Sequence, residues 1–376
     1  MLRNLKKRAA IGSGIFLIFI IFGLVVASFI GNVAADSGRD KICEFCKERI
    51  TAGPYIEVEG KYYHPEHFFC DHCRSAIGTK PFYTVDGKHY CQKCYRELFI
   101  PKCAVCGKTI DGEYIEYNGK AYHKECYENH VAKRCSLCGS ILEGKYLGDY
   151  WGNFYCLHHQ GNEPQCDYCG RFISDRLTGG GFQYSDGRYI CSRCRNSAVD
   201  DINRAGYLLD GVIQRLSEFG IDIETDNIHI HLIDKNELTQ ISDEKHRNHT
   251  GYTFYNAKSV NGEVLSKTFD IYILHGMPEV YFVGTAAHEL MHVWQYTNAP
   301  FENDPALSEG SCNYASHLVL QSYPGKMAEY YIYNMEQNPD EFYGEGYRRV
   351  RKLVRHQGVD RWLKHLRLNK NFPAGY

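Results

Sequence analysis

His288-Glu289-Leu290-Met291-His292, with Glu309 seventeen residues further on, decides how the C-terminal half of this chain is read. On a helix, His288 and His292 stand one turn apart on the same face. Their imidazoles suit one Zn²⁺, and Glu289 lies beside them as a base for water. Glu309 as third ligand would leave a fourth position open for that water, the arrangement of a zinc peptidase. Apolar residues recur at Val283, Ala286, Ala287, Leu290, Val293 and Trp294, a helical period. Pro278 reads as the first helical residue, and Thr297, Asn298, Ala299 and Pro300 end the run. Glu309 opens a second helical run through Ala315, Leu318, Val319 and Leu320. Asn313 shares its face and could hold a histidine ring nitrogen from behind. The competing reading is a buried helix that happens to carry two histidines. The third ligand on the next predicted helix argues against it.

With 376 residues the chain should form two to four units. A net charge of −2 and a near-neutral pI offer no phosphate-tracking surface, so nucleic acid is not an expected partner. Tyrosine is abundant, with 30 copies, and nothing in the sequence accounts for it. At the N-terminus Arg3, Lys6, Lys7 and Arg8 precede an apolar run from Ile11 to Ile30, about the length that crosses a bilayer. This predicts a single-pass membrane anchor over residues 10–31. Residues 1–9 would be cytoplasmic and the rest of the chain outside. The alternative is export after signal cleavage near Val33-Ala34-Ala35.

Sixteen of the 17 cysteines fall into metal-type spacings. Cys43-x2-Cys46, seventeen residues, then His64-x2-His67 forms one four-ligand set. Cys70-x2-Cys73, seventeen residues, then Cys91-x2-Cys94 forms the next, joined by Phe68-Phe69. This pattern over residues 41–97 resembles a LIM domain, with His67 where such domains usually have Cys. A LIM-like repeat over residues 101–160 uses Cys103, Cys106, His123 and Cys126, then Cys135, Cys138, Cys156 and His159. Spacing favours His159 over His158. Its halves are separated by eight residues instead of two. Residues 164–196 add a zinc-ribbon-like or half-LIM set, Cys166, Cys169, Cys191 and Cys194. Closed four-ligand sites are structural, and metal stabilises units too small to fold on apolar burial alone. A disulfide ladder would not require four histidines at ligand spacing. Cys312 is left over and reads as a small buried residue.

From residue 198 the pattern changes. Ile202, Ala205, Leu209, Val212, Leu216 and Phe219 predict an amphipathic helix ended by Gly220. Ile228 to Ile233, Gly251 to Tyr255 and Thr268 to Ile273 read as strands, and helices follow. His229 and His231 share a strand face and read as solvent-facing residues before a second metal site. A small sheet ahead of the zinc helix offers an edge to an extended substrate.

LIM modules followed by Ile273-Leu274-His275-Gly276-Met277-Pro278, Ala287-His288-Glu289-Leu290-Met291-His292-Val293-Trp294 and Glu309-Gly310-Ser311-Cys312 resemble the plant LIM-domain metallopeptidases that restrict organ growth. The resemblance runs on through Tyr343-Gly344-Glu345-Gly346-Tyr347 and Arg367-Leu368-Asn369-Lys370-Asn371-Phe372-Pro373. It implies zinc ligands His288, His292 and Glu309, catalytic Glu289, and the two-helix core of gluzincin-like peptidases. That family carries ubiquitin-interacting helices at its N-terminus; no such acidic helix is read in this sequence, so ubiquitin-triggered activation is not among the expectations.

The expected architecture is therefore α+β: tandem LIM or treble-clef-like zinc modules, then a gluzincin-like metallopeptidase domain over residues 198–376. Five structural zinc ions and one catalytic zinc are expected. Partners are protein substrates, or proteins bound by the LIM modules. His317 is a candidate oxyanion donor, with a packed helix residue as the plainer reading. The rival function is a catalytically silent LIM-type interaction scaffold.

Overall fold

The same backbone knuckle recurs five times and builds the metal modules. In each, the first Cys of a Cys-x2-Cys pair accepts a hydrogen bond from the N–H four residues on. The donors are Lys47, Arg74, Gly107, Gly139 and Gly170, at 2.8–2.9 Å. That turn needs a left-handed residue, and the five φ values lie between 60° and 79°. Glycine supplies it without strain at three of the five. Each knuckle faces a short hairpin, such as Phe82–Val85 on Lys88–Cys91 and Gly181–Gln183 on Tyr189–Cys191. The hairpin leads to the second pair of ligands.

A computed structural model describes residues 9–11, 17–19, 29–33, 41–51, 53–242, 249–260 and 263–376. The chain divides into two compact units. One comprises Ile11–Lys133 and Ile141–Gly144, the other Met1–Ala10, Arg134–Ser140 and Lys145–Tyr376. The first holds the LIM pair of sites and the first half of the repeat. Its LIM core is small: Ile56, Val58, Phe68, Ile77 and Phe82 pack with Cys70 and Cys94. The eight-residue spacer fits this division, since the two halves of the repeat fall in different units.

The membrane anchor is corrected. Among the described residues no helix is long and apolar enough to cross a membrane. The described parts of the apolar run are short strands. Leu17–Phe19 pairs with Tyr114–Tyr117, and Phe29–Val33 pairs with Gly53–Val58. Length and hydropathy alone do not distinguish a spanning helix from strands. The run is rich in β-branched residues and carries Gly12, Gly14 and Gly23, which lower helix propensity. The remaining residues of the expected anchor lie outside the described residues.

The second unit contains the C-terminal domain. Strand β1 (Ala198–Val199) leads into α1 (Ile202–Ser217), capped by the Asp201 side chain. Ala205, Leu209, Val212 and Leu216 lie on its buried face, as their spacing predicts, joined by Leu208, while Ile202 lies exposed. Strands β2 (Ile228–Ile233), β3 (Gly251–Val260) and β4 (Glu263–Leu274) form one sheet. β4 is central, parallel to β2 and antiparallel to β3, so β3 is an edge. β5 (Met277–Pro278) pairs with β1 and runs into α2 (Glu279–Asn298), the helix of His288. Pro278 is thus the last strand residue and the cap, one position before the helix. α3 (Pro305–Leu320) carries Glu309 and starts four residues before it, capped by Asp304. α4 (Lys326–Gln337), a single π turn (Glu341–Glu345), α5 (Gly346–Gln357) and α6 (Val359–Leu368) complete the domain. α2 and α3 are buried on nearly every side, which explains their weak amphipathicity.

The Cys166–Cys194 module shares a core with this domain. All four cysteines are buried and cluster with Val199, Phe282 and the helices behind them. Tyr184 donates to Gly276 O at 2.9 Å and Arg188 to His275 O at 2.9 Å, both on the turn that leads into α2. Trp151 donates to Cys169 O at 2.8 Å beneath the Arg171 guanidinium, 3.5 Å from its ring. Loss of this metal set should therefore propagate to the helix that carries His288. Stripping a zinc worth roughly 10 kcal/mol or more at a structural site should lower the midpoint of the main unfolding transition of Cys194→Ser by ~20 °C or more, at roughly 2–4 °C per kcal/mol. Cys73→Ser should leave that transition in place. Scanning calorimetry measures both, and an unshifted transition in Cys194→Ser would contradict the shared core.

Candidate active site

α2 and α3 run antiparallel, and five contacts cross between them in order. Gln295 Nε2 donates to Ser308 O at 3.1 Å. His292 Nε2 lies 3.7 Å and His288 Nε2 3.2 Å from Glu309 Oε2. His288 Nδ1 pairs with Asn313 Oδ1 at 3.0 Å, and Ser316 donates to Gly284 O at 2.6 Å. Both ring nitrogens that face the cavity therefore converge on one carboxylate oxygen. That oxygen is buried and makes no hydrogen bond. The opposite nitrogens are held from behind, His288 by Asn313 and His292 by Gln295 Oε1 at 3.2 Å. Fixed imidazoles around an unsatisfied carboxylate are what a divalent zinc ion would complete. Burial works against the Glu309 carboxylate, yet the two imidazoles hold it well below the usual carboxylate range.

Glu289 is buried on the same wall. Thr253 donates to its Oε2 at 2.8 Å and to its backbone O at 3.1 Å, so β3 holds the carboxylate from the side. Burial raises its pKa, opposed by His288, His292 and Thr253. A Cβ at Gly251 would stand 2.6 Å from Thr285 Cγ2 and 2.7 Å from Glu289 Oε1, so only glycine lets the strand approach so closely. The cavity, about 180 Å³, opens between β3, α2, α3 and the π turn.

The structure brings His288, Glu289, His292, Glu309 and Asn313 together as the sequence predicts. His317 lies elsewhere. It pairs through Nδ1 with Tyr347 Oη (3.0 Å), accepts at Nε2 from Gln321 Nε2 (2.8 Å), stacks on Tyr314, and does not line the cavity. Its burial, with Arg351 and Arg355 nearby, lowers its pKa to about 4. Cys312 is buried, with Sγ 3.4 Å from His292 Nδ1, and burial raises its thiol to about 11. His231 bonds Asp270 at 2.8 Å on the outer sheet face, and His229 is exposed. Thr253, Gln295 and the pairing of His249 Nε2 with the Tyr343 hydroxyl at 2.9 Å on the cavity wall are not singled out in the sequence. Gln295 was accessible, being one turn beyond His292 on the same helix. Thr253 and His249 belong to a segment more than 30 residues earlier, where no local spacing marks them.

The other predicted ligands also gather. Cys43, Cys46, His64 and His67 place their ligand atoms within 4.8 Å of one another. So do Cys70, Cys73, Cys91 and Cys94, and Cys103, Cys106, His123 and Cys126. Cys135, Cys138, Cys156 and His159 form the fourth group, and Cys166, Cys169, Cys191 and Cys194 the fifth. His159, not His158, joins its set. None of the 17 cysteines forms a disulfide.

Residues 43–99 match the LIM domain family. Across the chain, similarity extends to Protein DA1-related 1 of Arabidopsis thaliana, 23% identical over 400 residues, covering 89% of this chain and 66% of that protein. LIM domain-containing protein HDR3 of Oryza sativa subsp. japonica is 23% identical over 403 residues, covering 89% and 74%. Protein DA1 of Arabidopsis thaliana is 22% identical over 393 residues, covering 89% and 68%. The chain thus carries a LIM domain over residues 43–99 and is homologous over most of its length to these DA1-related proteins. It spans about two thirds to three quarters of the length of these relatives. LIM domains mediate protein–protein contacts, and the tandem Cys/His clusters suit zinc.

The residues behind the candidate ligands give a graded expectation. Glu309→Ala should lose zinc from this site under chelator competition. Asn313→Ala should retain it with affinity lowered ~10–100-fold, because it frees only the ring behind the ligand. Competition titration measures both, and equal zinc affinity in Glu309→Ala and the parent would contradict the ligand assignment.

Proposed function

We propose that the C-terminal domain is a zinc-dependent peptidase acting on protein substrates, and that the LIM-type modules recruit proteins to it. The observation that carries this reading is one buried, unbonded carboxylate oxygen facing two fixed imidazole nitrogens, with a second buried carboxylate on the same cavity wall. His288, His292 and Glu309 would hold the metal. When bound, zinc supplies Lewis acidity that makes water acidic and a carbonyl electrophilic at neutral pH.

The rest falls to the chain. Glu289 takes the proton of the attacking water and passes it to the departing amine nitrogen. Thr253 occupies Oε2 of Glu289, which leaves Oε1 to exchange that proton. The raised pKa of Glu289 brings it nearer neutral pH, where proton uptake and release are both efficient. Among the described residues β3 is an unpaired edge beginning at the cavity, so its backbone suits an extended peptide laid as an added strand. Strand pairing recognises backbone, which fits a protein or peptide substrate better than a small molecule.

Glu289→Gln should abolish hydrolysis of a quenched fluorescent peptide library and of fluorescein-labelled casein while zinc content stays unchanged. Glu289 acts on the proton and does not ligate. Parent protein with full zinc that cleaves neither substrate would overturn the peptidase reading and leave a LIM-type scaffold.

A further inference from the structure

Attack of water on a peptide carbonyl forms a C–O bond, moves the carbonyl π pair onto oxygen and delivers a proton to Glu289. Collapse of the adduct restores that pair, breaks the C–N bond and returns the proton to the amine nitrogen. Between the two events a full negative charge sits on the former carbonyl oxygen. A fixed donor aimed at that charge is usually worth more than any other protein contribution. His317, the candidate from sequence, lies outside the cavity. Several other polar groups on the cavity wall are engaged elsewhere. Asn313 spans His288 and Tyr343 O, Thr253 serves Glu289, and Thr250 and Thr285 bond each other at 3.0 Å. Tyr296 lies flat on Tyr255, with ring planes 10° apart.

We propose that the Tyr343 hydroxyl is the oxyanion donor and that His249 is the residue that positions it. The inference rests on the peptidase reading above. Tyr343 is held at three points. Its carbonyl accepts from Asn313 Nδ2 at 2.6 Å, so the residue behind His288 also fixes the backbone of Tyr343. Its ring lies near-parallel to His288, 20° apart with centroids at 6.1 Å. Its hydroxyl meets His249 Nε2 at 2.9 Å. When His249 Nε2–H donates to the phenol oxygen, the phenol proton is left to point into the cavity.

The backbone is built for this placement. Tyr343 is the middle residue of the π turn Glu341–Glu345. The extra residue in such a turn re-aims side chains and recurs at functional sites. Asp340 caps the turn by accepting from the N–H groups of Phe342 and Tyr343, each at 2.9 Å. Gly344 lies against the Asn338 carbonyl, where no side chain fits. The Tyr343-Gly344 pair of the sequence thus encodes one aimed ring.

The test uses the full chain loaded with zinc. Tyr343→Phe removes only the hydroxyl. Its kcat on fluorescein-labelled casein should fall about 10²–10³-fold with KM and zinc content unchanged. His249→Phe should lower kcat in the same direction, and His249→Gln, which keeps an N–H, should recover part of it. Calorimetry with N-phosphoryl-Leu-Ala, a tetrahedral oxyanion on a peptide, gives a readout independent of turnover. Tyr343→Phe should bind it at least 10-fold more weakly than the parent, while unphosphorylated Leu-Ala shows no such difference. Tyr343→Phe with kcat within threefold of an active parent overturns the inference alone. So does phosphoryl peptide binding that is equal in both proteins, or absent in both. A fully loaded parent that cleaves nothing overturns the peptidase reading and this inference with it.

Discussion

Everything at the candidate site depends on Glu309 standing opposite His288 and His292 across two antiparallel helices. A buried carboxylate oxygen without a hydrogen bond is costly unless something positively charged completes its environment. Here the imidazole nitrogens supply direction but no hydrogen bond of good geometry. The helices cannot relax away from one another. Ser316 is bonded to Gly284 O at one end of the contact and Gln295 to Ser308 O at the other, and Trp362 fixes α3 from behind through Ser311 at 3.1 Å. The polar geometry is imposed by packing, and that gives the site its readiness for a metal.

Around this pair the domain is arranged in concentric supports. Asn313 links His288 to the π turn, Thr253 links Glu289 to the edge strand, and Gly251 lets that strand come close. The Cys166–Cys194 module braces the turn that starts α2, so a metal site of purely structural chemistry becomes part of the foundation of the site. The LIM unit is built on a different balance. Its apolar cores hold only a handful of side chains, and its order depends on the ligand sets.

Much of this was legible in the sequence because the chemistry is written in spacing. The i, i+4 histidines, the Cys-x2-Cys pairs and the histidines completing them all land where local geometry puts them. Asn313 was readable for the same reason, being one helical turn after Glu309. The rest depends on tertiary contact between distant segments. Thr253 and His249 reach the site only because β3 docks beside α2. His317 sits on the helix of Glu309, but eight residues along it faces Tyr347 instead of the cavity. The apolar N-terminal run was read by length and hydropathy, which weigh a helix and short strands alike. The abundance of tyrosine has a partial account in the aromatic contacts that join elements, such as Tyr150 with Tyr330 and Tyr333, and Tyr281 with Tyr331.

The central claim is that two imidazoles and one carboxylate form an open zinc site, distinct from the closed thiolate sets. Anomalous diffraction at the zinc edge from crystals of the protein tests it most directly. The account predicts a peak bounded by His288 Nε2, His292 Nε2 and Glu309, with a non-protein oxygen as fourth ligand, in addition to peaks at the five Cys/His sets. Peaks at those sets with none between α2 and α3 in zinc-replete crystals, and Glu309 paired directly with the histidines, would contradict it.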